Sequence, residues 1–338
     1  MIVPSQKLNP KLFDKDIEEV PIRKGFGQGL LAAGERDQRV VGLCADLTES
    51  TQMHLFREKF PERFVEIGVA EQNLVTVASG MAAMGKIPFV SSYAMFSPGR
   101  NWEQIRTTIA YNGQPVVIVG SHAGVSVGPD GGTHQATEDI ALMRSMPNMV
   151  VVSPCDAIEA RKATLALAEL ARKEGKPSYM RLIRDKTPVM TTEATPFELG
   201  KARVFFEPIA GSPEVAIIAT GALVHKALTA ARELEKEKIG VTVLNLATIK
   251  PLDESAIVRA AKAAGAVVTV EEHQVMGGMG SAVAELLAAK HPTPIEFIGV
   301  QDRFGQSGTP EELVERYGMG VRDIKEAALR VLKRKRER

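Results

Sequence analysis

Between residues 215 and 300, four short apolar runs alternate with segments whose apolar residues recur at helical spacing. The runs fall at 215–220, 241–246, 266–271 and 295–300, and the helix-like segments at about 222–238, 253–264 and 280–290. One strand for roughly every 25–30 residues is the beat of βαβ units, and it commits this half of the chain to a parallel α/β sheet. The first half carries the same signal less evenly. The runs at 39–43, 64–69, 115–120 and 149–153 are β-branched and bounded by Pro, Gly or Asn, as suits strands buried on both faces. The stretch 156–173 reads as a helix opened by an Asp156 cap. Between the halves, 186–200 holds two prolines and four threonines with no period, which predicts a linker. The fold class is therefore α/β, as two doubly wound domains in 338 residues.

Composition excludes several functions. The formal net charge is +1, without the basic excess that binding a nucleic-acid backbone requires. No apolar run reaches the ~20 residues of a membrane span. Lys7, Lys11, Asp14, Lys15, Asp16, Glu18 and Glu19 interrupt any apolar leader near the start, so a cytoplasmic location is expected. Two cysteines, Cys44 and Cys155, supply neither a disulfide framework nor a thiolate metal site. The basic stretch 332–338 reads as a solvated helix end. Two glycine clusters, Gly25-Phe-Gly27-Gln-Gly29 and Gly277-Gly278-Met-Gly280, miss the Walker and Rossmann spacings and read as close backbone packing. The second could also present N–H groups to an anion.

Chemistry-bearing residues concentrate between Asp46 and Arg184. Glu71 follows a predicted strand and opens a helix of small residues, where spacing alone makes it a helix-dipole feature. The segment 121–135 places His122, Asp130 and His134 in a glycine-rich loop after a predicted strand. That is where open α/β sheets bind ligands. Without a third ligand at useful spacing, a zinc site is a poor explanation, and a sugar or acid–base site is a better one.

Here the sequence resembles a family. Ala45-Asp46-Leu47-Thr48, Gly68-Val69-Ala70-Glu71-Gln72-Asn73, the 121–135 loop, Ile249-Lys250-Pro251-Leu252-Asp253, Glu271-Glu272-His273 and Asp302-Arg303-Phe304-Gly305 together look like transketolase. The resemblance runs from about Arg23 to the C-terminus. It covers the pyrimidine-binding and C-terminal domains, but not the diphosphate-binding domain with its Gly-Asp-Gly and downstream Asn. It implies the C-terminal section of a split transketolase: an N-terminal extension over 1–22, a pyrimidine-binding domain over 23–187, a linker over 188–200 and a C-terminal domain over 201–338.

The resemblance also implies roles. Glu71 matches the glutamate that hydrogen-bonds the aminopyrimidine of thiamine diphosphate, with Tyr93 and Phe96 as aromatics around that ring and Asp46 close by. His134 matches the histidine near the reacting carbonyl, and Asp130 the aspartate that binds the neighbouring sugar hydroxyl. Arg23, Ser50, His122 and Arg184 match positions that hold a sugar's phosphate, a task for which arginine's planar fork is suited. Larger relatives often carry a further aromatic where Pro98-Gly99 stands, and Trp102 is a candidate to rebuild that wall. Magnesium and the cofactor diphosphate would be bound mainly by an N-terminal-section partner, in an assembly of two copies of each chain. Ala78, Gly80 and Ala82 would permit close helix approach there, although packing within the chain explains them equally well. The expected reaction is ketol transfer between sugar phosphates. The alternatives are a deoxyxylulose-phosphate-synthase-like or 2-oxo acid dehydrogenase beta-type subunit, or a non-catalytic pairing module. His122 favours transketolase, because the synthases typically have arginine there.

Overall fold

The computed structural model describes residues 1–337. Its strands are β1 (Glu19–Pro21), β2 (Val40–Cys44), β3 (Phe64–Glu66), β4 (Ile87–Tyr93), β5 (Val117–Ser121), β6 (Val150–Val152), β7 (Ser178–Arg181), β8 (Lys186–Pro188), β9 (Arg203–Phe206), β10 (Val215–Ala219), β11 (Val241–Asn245), β12 (Thr248–Lys250), β13 (Val267–Gln274) and β14 (Ile295–Val300). Its helices are α1 (Ile22–Arg36), α2 (His54–Lys59), α3 (Glu71–Ala83), α4 (Trp102–Gln104), α5 (Asp139–Arg144), α6 (Ala157–Glu174), α7 (Val224–Lys236), α8 (Glu254–Ala264), α9 (Met279–Lys290), α10 (Pro310–Arg316) and α11 (Val321–Arg336). Among the described residues, no helix is long and apolar enough to cross a membrane.

Two parallel sheets organise the chain. The first has the order β12-β6-β7-β5-β4-β2-β3, parallel except for its β12 edge. The second has the order β14-β13-β10-β11-β9, parallel except for its β9 edge. The β-branched runs of the sequence supply these strands because both faces of each sheet are covered. The strand expected over 64–69 stops at Glu66, whose carboxylate accepts from the Asp46 N–H at 2.7 Å, the Gly68 N–H at 3.1 Å and the Thr48 hydroxyl at 2.8 Å. Those bonds turn the chain out of the ladder.

Three apolar layers hold the sheets. One face of the first sheet packs under α1 and α6 through Phe26, Leu30, Ala163 and Leu167. Its other face, carrying Leu43, Val90 and Ile118, shares a single core with Ile218, Leu244 and Val267 of the second sheet. The third layer joins the far face of the second sheet to α7 and α11. Glycines in α1 set the close approach: a Cβ on Gly25 would overlap the Ala157 backbone, and one on Gly29 would press on Thr164 of α6. Asp156 caps α6 by accepting the Glu159 N–H at 2.8 Å. Close packing thus accounts for the first glycine cluster. The second presents its N–H groups to the chain's own Glu271, which accepts from Met279 and Gly280 at 2.7 Å each.

Several segments tie the sheets together. Ile2 bridges to Phe206, and Leu8 and Leu12 are buried in the core of the second sheet. In the other direction β12, from the second half, adds to β6 of the first sheet, and Lys250 Nζ donates to the Arg144 carbonyl at 2.9 Å. Residues 189–200 carry no strand or helix, yet they are pinned: Thr191 donates twice to Asp156, and Lys162 Nζ to the Thr192 and Thr195 carbonyls. Of the basic residues after 332, Lys333 and Arg336 are exposed, while two others are engaged by the chain. Arg334 meets Glu296, and Lys335 Nζ caps the end of α8 at the Ala264 carbonyl, while Arg338 lies outside the described residues.

Candidate functional site

Parallel strands bring their carboxyl ends to one edge, and there the first sheet gathers the candidate residues. Register pairs Cys44 with Glu66 and Ser91, and Tyr93 with Ser121. The residues just beyond those ends are Asp46, Glu71, Tyr93 itself, His122 and Arg184. Tyr93 closes β4, and the other four lie on bends or a helix start, where the side chain is free of the ladder.

Four rings form a cluster. His122 stacks on Tyr93 with centroids 3.9 Å apart, and Tyr93 lies nearly parallel to Phe96 at 6.3 Å. His134 meets Phe96 edge-on at 5.5 Å and Tyr93 at 6.4 Å. His122 adopts φ +53, in the left-handed region, with Nδ1 2.9 Å from the Ser121 hydroxyl. A non-glycine residue held there is a strained position of the kind that clusters at binding sites.

Two arginines stand behind the rings. Arg23, one residue into α1, donates through NH1 to the Arg184 carbonyl, and Arg184 donates to the Val127 carbonyl at 3.0 Å. Arg23 Nε is buried and has no partner among the described residues. Burial, and then the neighbouring charge of Arg184, lowers the Arg23 pKa. Two crowded guanidiniums with a spare N–H match the fork that a phosphate accepts. His122 feels the same environment. Burial, then the charges of Arg23, Arg184 and His134, pull its pKa from 6.5 down to about 3, so it is a neutral hydrogen-bonding group at physiological pH.

That depression has a stability consequence. Between about pH 3 and 6.5 the unfolded chain binds a proton at His122 that the folded chain refuses, so stability falls as pH drops through this window. Each such histidine contributes a slope of up to about 1.4 kcal/mol per pH unit. The thermal midpoint of His122→Asn should therefore decline less between pH 7 and pH 5 than that of wild type. His273, drawn down to about 4 chiefly by burial, keeps part of the slope in both proteins. Parallel declines would remove His122 from this role.

Glu71 is the first residue of α3 and only 4% exposed. Asn101 Nδ2 donates to its carbonyl at 2.8 Å and so fixes the start of the helix. Its carboxyl takes no hydrogen bond from the rest of the described chain. An aromatic wall, a carboxyl on the largely buried Glu71 that makes no hydrogen bond within the described chain, and a cationic pair fit a cofactor with a heteroaromatic ring and a phosphorylated co-substrate.

The other expected residues are looser. Asp46 is exposed at φ +58, held through its N–H by Glu66. Ser50 is half-buried in the loop after β2, with no side-chain hydrogen bond among the described residues. Asp130 is exposed at the end of the turn Val125–Asp130, and His134 Nδ1 lies 3.0 Å from the Thr133 hydroxyl. Trp102 does not rebuild the wall: its Nε1 donates to the Leu142 carbonyl at 3.0 Å and its ring packs into the shared core. A side chain at Gly99 would overlap the Met95 carbonyl, so no aromatic fits there without moving the turn. Ala78 and Ala82 are buried in the chain's own core, whereas Gly80 faces outward with nothing within 4 Å.

Residue-by-residue reading missed the braces of the 121–135 loop. Gln135 Nε2 donates to the Val125 carbonyl at 3.0 Å and the Gln306 carbonyl at 2.9 Å. Glu272 Oε1 accepts the Ser126 N–H at 2.7 Å from the second sheet. The motif Glu271-Glu272-His273 thus meets the loop through Glu272, and Gln306, one residue past Asp302-Arg303-Phe304-Gly305, meets it through its carbonyl.

Known proteins resemble this chain over most of its length. The family model of the transketolase pyrimidine-binding domain matches residues 18–190, and that of the transketolase C-terminal domain matches 207–324. The chain is 41% identical over 316 residues to a putative transketolase C-terminal section of Methanocaldococcus jannaschii, covering 93% of this chain and 96% of that protein. It is 40% identical over 323 residues to the 6-deoxy-6-sulfo-D-fructose transketolase subunit SqwH of a Clostridium species, covering 96% and 98%. A solved split-gene transketolase, described as an inactive beta4 tetramer, superposes with a TM-score of 0.84 at 42% identity, covering 93% of this chain and 99% of that one.

Proposed function

The chain belongs to the transketolase family, corresponding to its C-terminal section, and we propose that with an N-terminal-section subunit it transfers a two-carbon ketol unit from a ketose phosphate to an aldose phosphate. Similarity over nearly the whole length of relatives that are themselves sections or subunits supports this reading. We assign 23–187 to the pyrimidine-binding domain and 201–338 to the C-terminal domain, with 1–22 as an extension and 188–200 as the connector.

Thiamine diphosphate, when bound, supplies the nucleophilic carbon for such a transfer. In our reading this chain provides the surroundings. Glu71 holds a proton at its carboxyl against the aminopyrimidine nitrogen, Tyr93 and Phe96 wall the ring, and Asp46 lies beside it. His134 and Asp130 receive hydroxyls of the donor near its carbonyl. Arg23, Ser50, His122 and Arg184 receive the donor's phosphate, with His122 acting as a neutral donor between two cations. The partner subunit holds the diphosphate and its magnesium, in an assembly of two copies of each chain.

The observation that carries the reading is the His122–Tyr93 stack, with the paired arginines and His134 close beside it. It supports a site that takes an aromatic cofactor on one side and an anionic sugar on the other. A donor comparison tests it. With the reconstituted enzyme, Arg23→Ala and Arg184→Ala should each raise KM for a phosphorylated ketose roughly 10- to 100-fold, the loss expected for charge-assisted hydrogen bonds. Turnover of an unphosphorylated ketose such as xylulose should hardly change. Equal losses on both donors would place the arginines outside the phosphate site.

A further inference from the structure

The second sheet has an unusual occupant where its own ligand would lie. In its order β14-β13-β10-β11, the chain leaves β10 for β11 on one side, then crosses back to β13 on the other. The crevice beyond the carboxyl ends of β10 and β13 is therefore a topological switch point, the position where such sheets bind ligands. Here the first domain fills it. After β10, the Gly221 N–H donates to the Ser153 carbonyl at 3.2 Å, and the Thr220 hydroxyl to the same oxygen at 3.3 Å. From β13, Glu272 reaches the 121–135 loop.

Alternation along β13 separates the side chains of its charged run. Glu271 turns to the start of α9, and His273 Nε2 accepts the Ala141 N–H of α5 at 3.3 Å. Glu272, 4% exposed, points the other way and accepts the Ser126 N–H at 2.7 Å. The loop comes close because residue 124 is glycine at φ +83: a Cβ there would overlap the Glu272 carboxyl. Arg181, itself buried, donates to the Glu272 carbonyl at 2.6 Å and pairs with Asp139, which also accepts the Tyr179 hydroxyl at 2.7 Å. A buried polar chain thus runs Tyr179–Asp139–Arg181–Glu272–Ser126 and ends in the loop that carries His122, Asp130 and His134.

A buried carboxyl is costly without partners, and this one spends its contact on the loop's backbone. We propose that Glu272 is a positioning residue: it fixes the 121–135 loop from the second domain and thereby sets donor recognition in a site whose own residues all lie on the first. The proposal rests on the reading of that loop as the sugar-binding loop. Nothing in it requires Glu272 to touch substrate or cofactor.

Two variants in two assays test it. In the full chain alone, Glu272→Ala should speed amide hydrogen exchange in peptides spanning 121–136 by about tenfold or more, with peptides of β2 and β4 unchanged. Glu272→Gln keeps an acceptor oxygen for the Ser126 N–H and should exchange like wild type. In the reconstituted holoenzyme, Glu272→Ala should lose roughly 10- to 100-fold in kcat/KM for the sugar phosphate, as expected when reacting groups are misplaced by about 1 Å. Affinity for thiamine diphosphate should be unchanged, and the Gln variant should recover most of the loss. Unchanged loop exchange in Glu272→Ala overturns the proposal. So does faster exchange throughout the chain in both variants, which would mark a purely structural residue. If the exchange pattern appears but wild-type holoenzyme transfers no ketol unit, the brace stands and the proposed reaction fails.

Discussion

Purified alone, the chain is expected to show no ketol transfer from a ketose phosphate, even with thiamine diphosphate and magnesium supplied. Activity should appear when the N-terminal-section subunit is added. The reason lies in what the described residues offer. Tyr93 and Phe96 form one aromatic wall, Glu71 one buried carboxyl, and Arg23 and Arg184 one anion pair for the sugar. In the proposed reading these are the pyrimidine and donor sides of a cofactor site. The outer face of α3 presents Gln72, Asn73, Val77, Gly80 and Ala83 without a charge, flanked by Val69 at 78% and Met84 at 84% exposure. Such a face, directly beside Glu71, is suited to burial against another polypeptide. Because the partner binds the folded chain, titrating it in should also raise the melting midpoint in proportion to the logarithm of its concentration. Robust transfer by this chain alone would falsify the split-subunit reading.

The second sheet was legible in the sequence because its strands are buried on both faces. Val215 to Ala219 and Val241 to Leu244 are continuous apolar or β-branched runs, with Gly221 soon after the first and Gly240 just before the second. Elements defined by remote pairing were not legible. Thr248-Ile249-Lys250 lies past the apolar run at 241–246, in no expected strand, and only its contact with β6 makes it an edge of the other sheet. Leu8 and Leu12 are isolated apolar residues in a charged segment, and no local period reveals that they fill a distant core. The candidate site divides in the same way. Glu71 can be placed at a helix start from spacing, but its chemistry came only from resemblance. The stack of His122 on Tyr93 depends on the register of β4 against β5, and sequence distance conceals it. Trp102 shows the opposite failure: an aromatic near the site by number is turned by its N–H toward Leu142 and away from the pocket.

Glu71→Gln in the reconstituted enzyme is expected to lower kcat by about 10²- to 10⁴-fold, the range over which a positioned proton-sharing group contributes. Glutamine matches the size and shape of glutamate, so Leu74, Val75 and Ala78 behind it should pack as before. Asn101 holds the carbonyl of residue 71, a contact the substitution leaves alone. The one stability cost is the loss of a carboxylate from the first turn of α3, about 0.3–1 kcal/mol against the helix dipole. A melting midpoint close to wild type therefore accompanies the loss of turnover. What glutamine cannot do is release or share a carboxyl proton at the ring nitrogen. Calorimetric titration of the cofactor separates the two effects: binding weakened by less than about tenfold, alongside the full kinetic loss, assigns Glu71 to proton handling. Near wild-type turnover would leave the carboxyl as a helix-start residue only, which is the reading its position in the sequence first gives.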